Sequence, residues 1–406
     1  AFFDWKLDFP EVMNSEINTN PGFDIVIGNP PYVSVRNQDV EIRKVLKKYY
    51  KYSEGADVYV AFIEKSFILK KNNGSIILII PNKFFGANYG VKIRKELEKT
   101  YSISHIWDLK DIKVFESAQI STIVFGIVKK SESLKCKIKT ANGSFLKDQL
   151  FDLDNKIQIE SNDEEQFLIN HLNSKYEKLK KVADIRTGIV GFEYWKMKKI
   201  ITDEGIIDSN NIKIYTNGNF KRYTNNWKSE IRLYKEKYTK PTLKLDKNYL
   251  SNNTTELFKT KPKIIVRGVC KRVSAFLDVD GSAMLVAVHS ILPRNPNHIY
   301  NLLGIINSNL INWYHLKVFY SVRIPQGSLK YPISFFDKIP VPNNLNNNKL
   351  SDLVKEIRSN QDTTDLDYSI DNLVYKLYNL TYEEALIVEP ELSQRLSKAE
   401  YDAIEI

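Results

Sequence analysis

Between residues 1 and about 130, short apolar runs alternate with stretches whose apolar positions recur at helical spacing. Phe23-Asp24-Ile25-Val26-Ile27-Gly28 opens after Pro21-Gly22 and closes on Asn29-Pro30-Pro31, which predicts a strand buried on both faces. Asp57 to Lys71 sets Val58, Phe62, Ile63, Phe67 and Leu69 near one helical face, with lysines late in the segment where the helix dipole favours them. Asn73-Gly74 is the expected stop. Ser75 to Pro81 predicts a second buried strand, and Val91 to Lys99 a second helix after the Gly86 to Gly90 loop. Ile103 to Trp107 and Ile120 to Val128 complete the series, the second (ISTIVFGIV) being long and β-branched. Strand, helix, strand, helix, strand, strand is half of a doubly wound α/β sheet that ends in an antiparallel pair. Such a nucleotide domain begins with a strand leading into a glycine-rich turn at a helix N-terminus, and no such unit precedes Phe23. The cofactor half is therefore expected outside this chain. Phe23 to Gly28 would pair with it, so this chain by itself should expose an apolar edge or associate with another subunit.

From about residue 131 the pattern becomes polar and lysine-rich, and a helix is predicted over Asp163 to Val182. Segments rich in Asn, Thr and Tyr follow, with strands at Lys263 to Arg267 and Ser282 to Val288 and one amphipathic helix over Ile299 to Tyr314, its Leu302, Leu303, Ile306, Leu310 and Trp313 inward. Asn343 to Asn348 reads as a polar linker, and Leu350 to Asn360 and Asp365 to Leu377 as terminal helices. The expected division is 1–160, an α+β module 161–345, and a helical segment 346–406 packed on that module.

Composition adds bounds. The chain has 406 residues, 43% of them apolar, enough for two cores, and no run approaches the ~20 apolar residues of a membrane span. AFFDWKLDFPEV lacks the layout of a signal peptide, so a cytoplasmic location without membrane partners is expected. Cys136 and Cys270 are far apart and outside any CxxC spacing, which argues against disulfides and a zinc site. His105 and His289 have no partner at metal-ligand spacing, so no metal is expected. A net charge of +10 fits a polyanionic partner, although a Lys- and Asn-rich composition also follows from an AT-rich genome.

Asn29-Pro30-Pro31-Tyr32, directly after the first apolar run, is the most informative feature; its bland reading is an ordinary turn closing a strand. The stretch FDIVIGNPPY, preceded by WKLDFPEV, resembles the amino-methyltransferases that modify adenine N6, in particular the TaqI-like and type IIG restriction-modification enzymes. The resemblance runs over nearly the whole chain. It implies the C-terminal half of a Rossmann-like S-adenosylmethionine-dependent methyltransferase sheet, followed by an α+β target-recognition domain with terminal helices. An amine conjugated with a purine ring is a poor nucleophile because its lone pair is delocalised. Asn29 can offer its amide oxygen and Pro30 its carbonyl as acceptors for the N6 hydrogens, drawing the nitrogen towards tetrahedral geometry facing the methyl donor. These two are also the residues expected to meet S-adenosylmethionine, whose main site should lie outside this chain. Tyr32 can stack on a base rotated out of the duplex. Similar tetrapeptides serve protein-glutamine and RNA methyltransferases, so the motif specifies amine methylation more firmly than DNA.

Phe115 stands by resemblance just before the last strand, where the family contributes a second aromatic to the flipped base; otherwise it is a hairpin core residue. Pro81 to Phe85 lies at the C-terminal end of the second strand, where ligands bind, with Lys83 expected to face phosphate or solvent. Asp57 and Tyr59 read as a helix cap and a core residue, and Trp5 and Asp8 as packing residues leading into the catalytic strand.

Beyond residue 180 the chain resembles the TaqI-like C-terminal specificity domain, through Lys180 to Gly191, Lys261 to Arg267, Leu302 to Tyr314 and Ile333 to Pro342. This implies double-stranded DNA as the partner. Arg and Lys read guanine edges and hold phosphates, so Lys221, Arg222, Tyr223, Arg267, Lys271 and Arg272 are the candidate DNA contacts. The leading reading is a site-specific adenine-N6 DNA methyltransferase that works with an N-terminal remainder or another subunit. The alternative is a catalytically incomplete DNA-binding specificity module. No Asp/Glu/Lys constellation for an endonuclease is visible.

Overall fold

The computed structural model describes residues 3–109, 121–140, 143–148, 150–151, 155–159, 161–189, 194–319, 328–359 and 364–406. Two compact units form, Ala1–Asp163 and Glu164–Ile406. The first is built on a six-stranded sheet in the order β1-β2-β4-β3-β5-β6. Two one-turn helices, α1 (Trp5–Asp8) and α2 (Pro10–Met13), lead into β1 (Phe23–Gly28). Then follow α3 (Val40–Tyr49), α4 (Tyr59–Leu69), β2 (Lys70–Pro81), α5 (Val91–Thr100), β3 (Tyr101–Asp108), β4 (Thr122–Lys129), β5 (Cys136–Thr140) and β6 (Gly143–Lys147). β1 and β2 are parallel, while β4 runs antiparallel between β2 and β3. That is the expected half of a doubly wound sheet with its closing antiparallel strand.

β1 is not buried on both faces, as its apolar run suggests. Among the described residues it is an edge strand bonded to β2 alone, and Ile25 is 62% and Ile27 76% exposed. An unbroken apolar run identifies a strand made to be covered on both faces, not one that is covered in this chain. α4 also differs. It buries Tyr59, Val60, Ala61, Ile63, Ser66 and Leu69, whereas Phe62 is 45% exposed, so the buried face is rotated from the expected one. The helix ends at Leu69, before the Asn73-Gly74 stop, because Lys70 is already extended and starts β2; Lys71 pairs with Asp24 across the sheet at 2.9 Å. Gly74 instead serves the pairing, since a Cβ there would meet the Phe23 carbonyl oxygen at 2.7 Å.

Ile76, Leu78 and Ile80 of β2, with Ile123, Phe125 and Ile127 of β4, are buried on one face, where α4 and α5 pack. Ile77, His105, Trp107, Val124, Gly126 and Lys139 line a groove on the opposite face, where Ile77 and Trp107 are exposed. The lysine-rich stretch after residue 131 conceals two strands that the sequence reading missed. Cys136 and Ile138 are buried while Lys137 and Lys139 face out, a period of two that the lysines disguise. Arg94 is fully buried, its guanidinium donating to the carbonyls of Asn155 at 2.7 Å, Phe84 at 2.8 Å and Ala87 at 2.9 Å. It fixes the segment that leaves β2.

The second unit has a four-stranded sheet of Ala275–Asp278, Lys263–Arg267, Val288–Pro293 and Ala183–Thr187, and another of Ser282–Met284, Asn211–Tyr215, Thr242–Lys244 and Ile201–Thr202. Three expected elements are divided. Asp163 to Val182 is a helix to Lys175, then the short strand Glu177–Lys178 and a turn of helix. Ser282 to Val288 breaks where Val286 and Ala287 take positive φ of 55° and 54°, a reversal that propensity does not reveal. Ile299 to Tyr314 is two helices, Ile299–Asn307 and Asn309–Val318, because Ser308 donates its hydroxyl to Ile305 O at 2.7 Å and caps the second helix. All five expected inward residues are buried. Leu350, Val354, Val374 and Tyr375 enter the same buried cluster as Leu302, Ile306 and Leu310.

Asp371, in the helix Thr364–Leu377, accepts the Asn309 N–H at 2.7 Å, and burial pushes its carboxyl up to about 7. An acid that titrates higher in the fold than in the unfolded chain contributes fully below about pH 4 and loses that contribution as pH rises. Asp371→Asn is therefore expected to flatten the decline of melting temperature between about pH 4 and pH 7; an unchanged slope would count against a buried acid. Arg94→Ala, which leaves two buried carbonyls and a partly buried one without their donor, is expected to cost about 3 kcal/mol or more in denaturant unfolding.

Candidate functional site

Pairing of Gly28 with Leu78 brings the loop after β1 beside the C-terminal end of β2, the edge where open α/β sheets take ligands. Asn29 and Pro31 are exposed, Pro30 is buried and Tyr32 half-buried. Tyr32 Oη lies 3.0 Å from the Ile79 carbonyl oxygen and 3.1 Å from Asn29 Oδ1. A phenol has one hydrogen, so these two oxygens cannot both take it. Turning over the Asn29 amide, whose two ends have nearly the same shape, satisfies both contacts: Tyr32 donates to Ile79 O and Asn29 Nδ2 donates to Tyr32 Oη. Asn29 Oδ1 is then released to accept from another group. Burial pushes the Tyr32 phenol up to about 12, so it stays a neutral donor at neutral pH.

Asp57 is not the cap of α4. That position belongs to Val58, with no side-chain cap, and Asp57 is buried at 6% exposure beneath the loop. Its Oδ1 accepts the Val35 N–H at 2.9 Å and its Oδ2 accepts the Tyr89 hydroxyl at 2.8 Å. A carboxylate just before a helix resembles a cap in sequence, and the Tyr89 partner is too distant along the chain to be foreseen. Tyr59 is a core residue, as expected, with its hydroxyl 2.8 Å from that of Tyr89. Lys83 is exposed, but its ammonium lies 3.5 Å from Asp57 Oδ2 and 5.4 Å from the Tyr89 ring centre. Trp5 packs with Phe3, Phe9 and Phe23, and Asp8 accepts the Asp4 N–H at 2.7 Å. Phe115 lies outside the described residues.

In the second unit the candidate DNA contacts separate into two kinds. Lys221 and Lys271 are exposed. Tyr223 is 4% exposed and belongs to the hydrophobic core, its φ of 64° turning it inward, which corrects its assignment to a DNA surface. Arg222 is likewise engaged internally: it makes a bidentate pair with Asp367 at 2.9 and 3.0 Å, about four-fifths buried. Arg267 sits 5.2 Å from the Phe220 ring centre, and Arg272 donates to Asn307 O at 3.3 Å; both are half-buried. His289 contacts Thr187 Oγ1 at 3.0 Å, His105 is exposed, and among the described residues no group of three metal-ligating side chains occurs. Both cysteines are buried free thiols, pushed up to about 12 by burial.

Residues 1–115 match the Eco57I restriction-modification methylase family, and residues 204–341 match the TaqI-like C-terminal specificity domain. The chain therefore resembles the restriction-modification methylases in its first unit and the TaqI-like specificity domains in its second. It is similar to the type II methyltransferase M.BstVI of Geobacillus stearothermophilus, 35% identical over 117 residues, covering 29% of this chain and 19% of that protein. It is also similar to the putative type II restriction enzyme and methyltransferase RM.MjaORFECS2P of Methanocaldococcus jannaschii, 25% identical over 410 residues, 93% of this chain and 32% of that protein. This chain thus spans between a fifth and a third of those relatives' length. Among solved structures, the type IIL restriction-modification enzyme MmeI in complex with DNA aligns with 99% of this chain and 59% of its own at a TM-score of 0.61 and 10% identity. The likeness is one of fold. Lys221, Arg222, Arg267, Lys271 and Arg272 fall within the specificity-domain match.

Loss of Arg222 and loss of Lys221 should therefore read differently. Arg222→Ala is expected to lower stability by about 2 kcal/mol or more in thermal unfolding, because it leaves Asp367 without this partner in a largely buried place. Lys221→Ala should leave melting unchanged, and equal melting of the two variants would contradict the internal role of Arg222.

Proposed function

We propose that this chain supplies the target-base half of a site-specific DNA adenine-N6 methyltransferase of a restriction-modification system, together with its DNA-reading domain. The observation that carries the reading is the Asn29–Tyr32 turn at the C-terminal end of β1, with Asn29 exposed and the Tyr32 hydroxyl anchored beside the Ile79 carbonyl. Asn29 Oδ1 and the Pro30 carbonyl accept the two N6 hydrogens, which localises the nitrogen lone pair. Tyr32, anchored by its hydroxyl, offers its ring to the extruded adenine, and Phe115 a second one. The N6 proton becomes acidic as the nitrogen is alkylated, so no strong base is needed.

S-adenosylmethionine, when bound, supplies a methyl group made electrophilic by its sulfonium. The residues present fit the rim of its site: Asn29 is exposed beside an edge strand whose outer side is open for a further sheet partner. Asn29 and Pro30 would border the donor there. The N-terminal remainder of the same polypeptide, or another subunit, supplies the main donor site by pairing with β1 and covering Ile25 and Ile27. Double-stranded DNA in the cytoplasm is the substrate. Support comes from the specificity-domain match, from the net charge of +10, and from the DNA complex in which MmeI was solved. Lys221, Lys271 and Lys83 are the available phosphate contacts, with Arg267 and Arg272 requiring rearrangement to reach bases. A second reading, a specificity module that does not methylate alone, is favoured by the one-sided pairing of β1.

Tritium transfer from labelled S-adenosylmethionine to mixed duplex DNA decides between them. The full-length protein is expected to label adenine N6, and Asn29→Ala to lose about 100-fold or more in rate while still binding DNA. Binding without transfer by the full-length protein would leave the specificity module as the function.

A further inference from the structure

The chemistry above does not use one buried carboxylate behind the Asn29–Tyr32 turn. Asp57 receives the Val35 N–H on one oxygen, and the Tyr89 hydroxyl with the nearby Lys83 ammonium on the other, at 2.9, 2.8 and 3.5 Å. The neighbouring Val58 N–H donates to Val33 O at 3.0 Å. Two successive points on the chain leaving Tyr32 are thereby fastened to the entry of α4. Lys83 and Tyr89 both follow β2, so the same carboxylate also ties the β1 turn to the β2 turn. Tyr89 is itself fixed against the fully buried Tyr59. Burial pushes both phenols up, which keeps them protonated at neutral pH.

Resting on the methyltransferase reading, we propose that Asp57 is a positioning residue that holds the Asn29–Tyr32 turn in its reactive geometry and registers it against the β2 loop without touching the base. A carboxylate suits the place because all three groups facing it carry N–H or O–H hydrogens. A carboxamide of the same shape has one accepting end and would set N–H hydrogens against one of these donors. Displacing an acceptor by about 1 Å can cost about 100-fold in rate, so a residue outside the site can govern transfer through the turn alone.

Asp57→Asn in the full-length protein, with Tyr89→Phe as a second variant should the first not fold, tests this by two readouts. Hydrogen exchange is expected to quicken over residues 29–35, most at the Val35 amide, while the amides of α4 stay protected. Single-turnover methyl transfer is expected to fall about tenfold or more, with duplex DNA affinity within about twofold of the parent. Unchanged exchange over 29–35, or a fall in transfer matched by an equal fall in DNA affinity, overturns the proposal. A parent protein that transfers no methyl group defeats the methyltransferase reading instead, and the exchange measurement still decides whether Asp57 holds the turn.

Discussion

The parallel pairing of β1 with β2 governs the geometry of the first unit's functional end. Because Gly28 faces Leu78, Asn29 and Pro81 leave the sheet on the same side, and Tyr32 can reach the Ile79 carbonyl across the pair. An antiparallel pair would send the two loops to opposite ends. The pairing has its own requirement at Gly74, where any side chain would collide with the Phe23 carbonyl. Arg94 then immobilises the chain after β2 by its carbonyl contacts, and Asp57 connects the chain after β1 to it. A backbone register, one glycine and two buried charged groups thus define a site whose outward residues are few.

Much of this unit was legible beforehand. The order of its first four strands follows from apolar runs and glycine or proline boundaries, and the Asn29–Tyr32 turn from its place after a strand. What escaped has common physical causes. β5 was hidden because lysines occupy its outward positions 137 and 139, and β6 because its inward end is itself a lysine, Lys147, fully buried, while Leu146 faces out. The buried face of α4 was misjudged because nearly every residue there is apolar, which leaves the rotation of the helix to tertiary packing. Asp57 was misread because capping is a local pattern, whereas its partners Val35 and Tyr89 are brought to it by the sheet.

In the second unit the charge of a side chain said little about its role. Arg222 and Tyr223 occupy a short reversal between Phe220 and Asn225, one pairing with Asp367 and the other entering the core. Both act as fastenings of the segment that carries the exposed Lys221. The helix over Ile299 to Tyr314 illustrates a related limit: its apolar positions are correctly inward, yet one serine hydroxyl divides it into two. Periodicity identifies which residues are buried more readily than where the backbone changes direction.

The outward isoleucines of β1 also bear on competition between partners. An edge with free backbone groups and apolar side chains accepts almost any extended segment, so geometry discriminates weakly among strands. Proximity must then choose. A segment joined to the same polypeptide by a short flexible connection meets this edge at an effective concentration on the order of millimolar, whereas a strand from a separate molecule competes at whatever dilution prevails. The fidelity of sheet completion here would be set by covalent connectivity rather than by the sequence of the edge itself.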